Sequence, residues 1–305
     1  MRAPAKLAAY GAVLAVVVGG GAGLGAAAGP IDVDDDAEHA THPAADAAEA
    51  TPAADVLPGG LAVAGPGYRL DVPVTTLADG EPSTFAFRVV DDAGAPVTRF
   101  AVEHEKRLHL VVVGRNLVDY AHLHPQLGED GTWRVELPAL PAGSYRAFAD
   151  FRPTGADALT LGVDLTVTGA PPAIELPAPS RRAEVDGYEV ELAGDPRPGE
   201  SELTFTVSRG GEPVRTDPYL GAAGHLVAIR DGDLAYLHVH PLDGEGHEIR
   251  FAAEFPSPGR YRLFLDVAHG GAVHTAAFTV EVPEAGAAVD DHAPSPELGD
   301  EHESH

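Results

Sequence analysis

Residues 109–150 read HLVVVGRNLVDYAHLHPQLGEDGTWRVELPALPAGSYRAFAD, and residues 225–266 read HLVAIRDGDLAYLHVHPLDGEGHEIRFAAEFPSPGRYRLFLD. The two stretches align without a gap at an offset of 116, and 15 of the 42 aligned positions are identical. The identities fall on apolar positions, turn residues and a shared His-x-His-Pro element, a combination that unrelated β segments would not hold at one offset. The chain therefore contains an internal duplication.

Short runs of alternating or β-branched residues, bounded by Gly, Pro and Asp, lie in and around both copies. Such runs predict strands, and no segment has a helical period. The predicted strands are 83–90, 108–113, 133–137, 145–151 and 161–167 in the first copy, and 203–207, 225–229, 248–255, 261–267 and 273–282 in the second. About seven short strands in roughly 100 residues fit a β-sandwich. We predict an all-β protein with two tandem immunoglobulin-like or cupredoxin-like β-sandwich domains.

The sequence outside the copies predicts export. Arg2 and Lys6 precede an apolar run over residues 7–28, which is typical of a secretory signal and is also just long enough to span a bilayer. We therefore expect an exported protein, either extracellular or membrane-anchored and facing outward. The predicted segments are 1–29, signal peptide or membrane anchor; 30–66, disordered acidic linker; 67–169, β-sandwich repeat 1; 170–186, linker; 187–283, β-sandwich repeat 2; and 284–305, disordered acidic tail containing His.

Composition excludes several classes of function. Lys+Arg 20 against Asp+Glu 47 gives a net charge of -27, which opposes binding to nucleic acid and favours cations. Cys is absent and Met occurs only at position 1, so disulfides, thiolate metal sites and cysteine nucleophiles are excluded. No G-x-S-x-G elbow, phosphate-binding Gly loop or H-E-x-x-H helix occurs. We predict a protein that is not an enzyme.

Both copies place histidines at the spacing of a strand. Side chains at i and i+2 share one face with Cα atoms about 6.5 Å apart, close enough for two imidazoles to bind one ion. His122 with His124, and His238 with His240, have this spacing. The candidate metal ligands are His104, His109, His122, His124 and Asp150 in the first copy, and His225, His238, His240, Asp266, His269 and His274 in the second.

The other candidates are expected to complete each pair. His109 and His225 begin the preceding strand, which a hairpin would place beside the His-x-His strand. Asp150 and Asp266 could act as a fourth ligand or as the carboxylate that orients an imidazole. The second copy has more histidines, so we expect it to bind metal more tightly. Copper(II), then zinc, is the expected ion, since imidazole and carboxylate suit both and soft ligands for monovalent copper are missing.

Three motifs carry a resemblance to known proteins. They are the His-Leu-x-x-V/I segment, the aromatic-x-His-x-His-Pro element, and the Pro-Gly-x-Tyr-Arg-x-Phe-x-Asp strand. In these, residues 67–282 resemble a group of actinobacterial exported proteins of unassigned role, labelled secreted or heavy-metal-binding-like. A looser similarity to extracytoplasmic copper-handling β-sandwiches implies metal traffic. The absence of Cys and of internal Met departs from blue-copper proteins and excludes their electron-transfer centre.

The same residues permit another interpretation. A His-x-His pair beside Tyr and Asp can be a hydrogen-bonded network that fixes a loop, with neutral imidazoles satisfied by carboxylates and carbonyls. The chain would then be a tandem β-sandwich interaction module of the cell envelope with a protein partner. The sequence therefore predicts either an extracytoplasmic copper or zinc protein or such an interaction module.

Overall fold

The structure is a computed structural model that describes residues 58–244 and 246–284. Strands and turns make up this part of the chain, and it contains no α-helix, so the predicted all-β class is confirmed. None of its segments is a helix able to cross a membrane. The predicted signal or anchor at 1–29, most of the linker 30–66 and nearly all of the tail 284–305 lie outside the described residues.

Module one is a sandwich of two five-stranded sheets. One sheet has the order β1-β2-β4-β8-β7 and the other β3-β10-β9-β5-β6. Apolar side chains from both inner faces, Trp133 and Tyr145 among them, fill the space between the sheets. The strands are β1 (Ala64–Gly65), β2 (Tyr68–Asp71), β3 (Thr76–Leu77), β4 (Ser83–Asp91), β5 (Leu108–Gly114), β6 (Tyr120–Leu123), β7 (Gln126–Leu127), β8 (Trp133–Leu137), β9 (Gly143–Phe151) and β10 (Leu159–Val167).

Module two repeats the sandwich with fewer strands in its second sheet. One sheet has the order β11-β12-β13-β17-β16, with β14 paired to β13, and the other has the order β15-β18-β19. Its core includes Phe205, Phe251 and Tyr261. The strands are β11 (Arg182–Val185), β12 (Tyr188–Ala193), β13 (Gly199–Arg209), β14 (Glu212–Pro213), β15 (His225–Arg230), β16 (Val239–Leu242), β17 (Glu248–Phe255), β18 (Gly259–His269) and β19 (Ala272–Val282).

Backbone pairing confirms the duplication at the predicted offset. His109 lies opposite Asp150 between β5 and β9, and His225 lies opposite Asp266 between β15 and β18. The amide of Ala101 donates to the carbonyl of Arg152, and the equivalent bond runs from Asp217 to Ala268. The offset of 116 therefore holds beyond the 42 aligned positions. It relates residues 101–152 to residues 217–268.

Each module also contains the tyrosine corner of Greek-key sandwiches. The Tyr145 hydroxyl donates to the carbonyl of Pro141 at 2.8 Å, and Tyr261 donates to Ser257 at 2.8 Å. Both tyrosines follow a Gly at the start of the central strand of the sheet, β9 or β18. The corner explains why the Gly-x-Tyr-Arg pattern occurs in both copies.

Two predicted boundaries require correction. Residues 58–66, assigned to the disordered linker, pack on the modules: the amide of Gly60 donates to Thr160, and Ala64–Gly65 forms β1. The second linker ends before residue 182, where β11 begins. Gly, Ala and Pro dominate the first of these segments, and its order comes from hydrogen bonds to β10 and to Arg146 rather than from apolar side chains.

The two modules pack face to face through the β9–β5 and β18–β15 sheets. Strand β5 is buried along its whole length because one face lines the module core and the other faces module two. Tyr120 stacks on Phe264 with ring centroids 3.9 Å apart, and Tyr236 lies against Phe148 at 5.3 Å. This third core makes the interface nearly two-fold symmetric within one chain. Its buried members are Val111, Val113, Leu117, Phe148, Val227, Ile229, Leu234 and Phe264.

Candidate metal centre at the module interface

The candidate site lies at one end of the shared core. His109 has the same strand parity as Val111 and Val113, so its side chain points out of the module-one sandwich towards module two. His122 lies opposite Val111 on the neighbouring strand β6 and shares that face. His124 follows just after the strand ends. Alternation along two paired strands thus brings the three imidazoles together.

These three histidines form a compact group. One nitrogen from each of His109, His122 and His124 lies within 4.8 Å of the others. The closest pair is His109 Nδ1 and His122 Nε2, at 3.1 Å. Nitrogen ligands about 2.0 to 2.1 Å from a tetrahedral ion lie roughly 3.3 Å from one another. The three imidazoles would therefore need to move by at most about 1.5 Å relative to one another to bind one ion. Among residues 58–244 and 246–284, no other group meets this criterion.

The outer nitrogens of the close pair both face oxygen acceptors. His109 Nε2 lies 3.2 Å from the carbonyl oxygen of Glu103, and His122 Nδ1 lies 2.8 Å from Oδ2 of Asp266. A carbonyl and an ionised carboxylate only accept, so each outer nitrogen must donate its hydrogen. His109 Nδ1 is then a lone pair that faces His122 Nε2 at 3.1 Å, a contact that either a proton on His122 Nε2 or a bound cation can bridge.

An unpaired nitrogen lies in the same group. Nε2 of His124 is buried and has no hydrogen-bond partner. Burial, together with the neighbouring charge of His122, lowers the pKa of His109 from 6.5 to about 4 and that of His124 to about 3. Both imidazoles are therefore neutral at pH 7, the form that binds metal. The site thus presents neutral imidazoles at His109 and His124, one of which has an unpartnered nitrogen.

His225 of module two packs against the three histidines, but its ring nitrogens are not part of the group that could bind one ion. Its ring stacks on that of His109, with centroids 5.3 Å apart at 6°, and on that of His122, at 4.7 Å and 25°. Burial, followed by the charges of the nearby histidines, lowers its pKa well below 6.5. His225 is thus a neutral ring that covers one side of the group.

His104 and Asp150 lie at the edge of the site. The ring of His104 is 6.0 Å from that of His109 and 5.7 Å from that of His225, at a turn where its φ is 46°. The carboxylate of Asp150 accepts from the Thr160 hydroxyl at 2.8 Å. Burial raises the pKa of Asp150, with the charge of nearby His238 acting against this rise. Neither side chain belongs to the converging group.

The second His-x-His pair has different surroundings. The rings of His238 and His240 are 4.1 Å apart and perpendicular, but no third candidate ligand within the described ranges converges on them. Burial, then the charge of His240, lowers the pKa of His238. The larger number of histidines in module two therefore does not assemble into a group like that of module one.

The remaining two candidates lie in the β18–β19 hairpin. His269 Nδ1 is 2.6 Å from the Tyr188 hydroxyl, and His274 Nδ1 is 2.7 Å from Oδ2 of Asp186. Arg209 also donates to the Tyr188 hydroxyl, at 3.3 Å. These contacts tie the hairpin to β12, on a separate part of module two.

Sequence reasoning missed three contributors to the site. It did not foresee the Glu103 carbonyl, the Thr275 hydroxyl that donates to Asp266 at 2.6 Å, or the pairing of Asp266 with a histidine of the other module. A carbonyl has no sequence signature, and an internal repeat shows which residues are equivalent without showing which of them meet. One sequence feature did point to the site. His109 and His225 alternate in step with the apolar residues of the interface, which places them on the same strand faces.

Solved structures that are similar to this chain have low identity and low TM-scores. The Escherichia coli adhesin FdeC is 15% identical over 75% of this chain and 66% of its own, with a TM-score of 0.26. InvD of Yersinia pseudotuberculosis is 15% identical over 74% of this chain and 60% of its own, with a TM-score of 0.24. Domains 4–9 of the surface layer protein SbsC are 12% identical over 72% and 31%, with a TM-score of 0.23. The chain thus spans less than two thirds of each, and such scores carry no functional meaning for it.

Comparison with curated protein sequences finds no match. A family model does match, and it matches twice, over residues 62–169 and 183–284. The two matched segments coincide with the two modules and with the internal repeat. The chain belongs to the family described as Domain of unknown function (DUF8832).

Proposed function

We propose that this protein is an extracytoplasmic, non-enzymatic binding protein for a divalent metal ion, with one site at the module interface. His109 Nδ1, His122 Nε2 and one nitrogen of His124 are the ligands. The supporting observation is the convergence of three imidazole nitrogens within 4.8 Å of one another, with the outer nitrogens of His109 and His122 held by fixed oxygen acceptors. A cation at this point replaces the proton of the 3.1 Å contact between His109 and His122.

The surrounding contacts match those of metal-binding histidines. Such residues almost always donate their second N–H to a carboxylate or a backbone carbonyl, which fixes the tautomer and raises the basicity of the ligating nitrogen. His122 has a carboxylate partner in Asp266, and His109 has a carbonyl partner in Glu103. The unpartnered, buried Nε2 of His124 is the third donor available to an ion.

Copper(II) is the first candidate ion and zinc the second. Imidazole suits both, and the order of affinity for nitrogen ligands places copper(II) above zinc. The net charge of -27 concentrates cations around the protein. The apolar N-terminal segment after Arg2 and Lys6 supports a location outside the cytoplasm.

The test is elemental analysis of the full chain, produced without an affinity tag and dialysed against a weak chelator. We expect one copper or zinc ion per chain after loading, removed by a strong chelator. The alternative function, an interaction module of the cell envelope with structural histidines, predicts that no ion is retained. An ion content well below one per chain would overturn the metal proposal.

A further inference from the structure

The outer nitrogen of His122 has its hydrogen-bond partner in the other module. Nδ1 of His122 lies 2.8 Å from Oδ2 of Asp266, which is 144 residues further along the chain. The two side chains are 3% and 2% exposed. Oδ1 of the same carboxylate accepts from the Thr275 hydroxyl at 2.6 Å, which fixes its orientation. Module two therefore sets the tautomer and the ring position of a module-one histidine.

Apolar packing beside the site keeps this contact in place. Tyr120 precedes His122 by two residues and Phe264 precedes Asp266 by two residues, so each pair lies on one strand face. The rings of Tyr120 and Phe264 stack at 3.9 Å and 8°. The hydrogen bond at the site and the stacked aromatic pair thus belong to the same module contact.

We infer that Asp266, held by Thr275, is the positioning residue of the metal site, and that module one binds metal fully only with module two docked. This inference rests on the proposed function and adds that the site is completed across the module interface. Coupling of this kind is reciprocal: docking raises metal affinity, and the bound ion strengthens docking by the same factor. The protein then responds to metal by tightening the contact between its modules.

The duplication supplies a matched control. Asp150 is the equivalent of Asp266, lies opposite His109 as Asp266 lies opposite His225, and accepts from Thr160 as Asp266 accepts from Thr275. Among the described residues, Asp150 makes no hydrogen bond to a ring nitrogen of the site. Replacement of either aspartate removes one carboxylate from equivalent strands. Only the replacement of Asp266 removes a hydrogen bond to a proposed metal ligand, His122.

The experiment compares Asp266→Asn with Asp150→Asn in the full chain by calorimetric titration with copper(II) and with zinc. We expect Asp266→Asn to weaken binding by about 10- to 100-fold, the usual cost of losing the partner of a ligating histidine. Asp150→Asn should change affinity by less than about threefold. Nitrogen NMR of His122 should show the hydrogen on Nδ1 in the apo wild type, and a loss of that preference in Asp266→Asn alone.

The failures of the two proposals are distinguishable. If the wild type binds neither ion, the proposed function is wrong. If the wild type binds but the two aspartate variants weaken binding equally, the positioning role of Asp266 is overturned. Should Asp266→Asn fail to fold, Thr275→Val and Thr160→Val repeat the comparison, with a loss of a few fold expected for Thr275→Val only; equal effects of this pair would likewise overturn the inference.

Discussion

The two His-x-His elements have one sequence pattern and two different environments. In module one, β6 pairs with β5 as far as Leu123, so His122 lies opposite Val111 on the face that meets module two. In module two, pairing with β15 ends near Tyr236, opposite Ile229, and β16 joins β17 in the other sheet. His238 and His240 therefore do not lie beside β15, although His238 stays close to Asp150 of module one. A duplicated motif is therefore a duplicated site only where strand pairing is duplicated too.

The N-terminal segment breaks the symmetry at the same place. Gly59 forms a bridge with Tyr236, and the amide of Gly60 donates to the carbonyl of Thr160, whose hydroxyl donates to Asp150. This segment lies between module one and the start of the second His-x-His element. In module one, His122 is hydrogen-bonded to Asp266 of module two. Exact two-fold symmetry would require the equivalent bond between His238 and Asp150. The N-terminal segment lies in the region where that bond would form.

The largest expected difference between the modules is in metal binding. The double variant His122→Ala/His124→Ala removes two proposed ligands, and we expect its affinity for copper(II) or zinc to fall by more than about 100-fold, beyond the cost of losing a single outer partner. His238→Ala/His240→Ala removes the equivalent pair from module two and should retain the ion. Calorimetric titration of both variants measures this, and equal losses would show that the two modules share the site.

A smaller effect concerns Gly162, which lies opposite Phe148 as Ala277 lies opposite Phe264. A Cβ on Gly162 would come within 2.1 Å of the carbonyl oxygen of Gly60, so module one needs Gly where module two has Ala. We expect Gly162→Ala to lower the free energy of unfolding by about 1 to 3 kcal/mol. Ala277→Gly should cost only about 0.5 to 1 kcal/mol. Denaturant unfolding of both variants tests the order, and a harmless Gly162→Ala would contradict the tight contact.

Acid should destabilise the metal-free protein through buried histidines, among them His109 and His124 of module one. The pKa values of His109 and His124 are lowered in the folded state from 6.5 to about 4 and about 3, so the unfolded chain binds more protons at intermediate pH. These two groups leave stability unchanged above about pH 6.5 and lower it progressively as the pH falls to about 3. Thermal melts of the apo protein between pH 7.5 and 4.5 measure the loss. His109→Gln should flatten the dependence, and a slope unchanged in this variant would contradict the lowered pKa.

The smallest expected effect comes from the segments outside the modules. A chain beginning at Pro58 should unfold at nearly the same temperature as the full chain, since Gly59, Gly60 and Leu61 supply the contacts that tie the segment to the modules. A chain beginning at Gly67 lacks those contacts and leaves Arg146 without two of its carbonyl partners. Its melting temperature should be lower. Equal melting temperatures for the two truncations would remove the structural role of residues 58–66.

Much of the fold was predictable from local patterns. Alternation and turn residues predicted ten of the observed strands, most of them close to their bounds, and the offset of 116 predicted the equivalence of the two copies, which the matching pairs His109–Asp150 and His225–Asp266 confirm. Strand β12 was missed although it alternates between buried and exposed residues. The two-residue strands and residues 58–66 were missed since their order depends on backbone hydrogen bonds to distant residues. Hydrogen bonds of that kind leave no apolar periodicity to detect.

The candidate site was predictable in part. The grouping of His109, His122 and His124 followed from strand spacing and a hairpin, and the structure brings these side chains together. The contact between His122 and Asp266 depends on how two folded modules pack, and the sequence pattern of either module contains no record of it. The metal-ligand roles of all eleven candidates remain predictions.

The metal site is tested most directly by anomalous diffraction from crystals of the full chain loaded with copper or zinc. We expect one strong peak about 2.0 to 2.2 Å from His109 Nδ1, His122 Nε2 and a nitrogen of His124, with Asp266 still bonded to His122. A peak at His238 and His240 instead, or no peak in the described part of the chain, would contradict the proposed site.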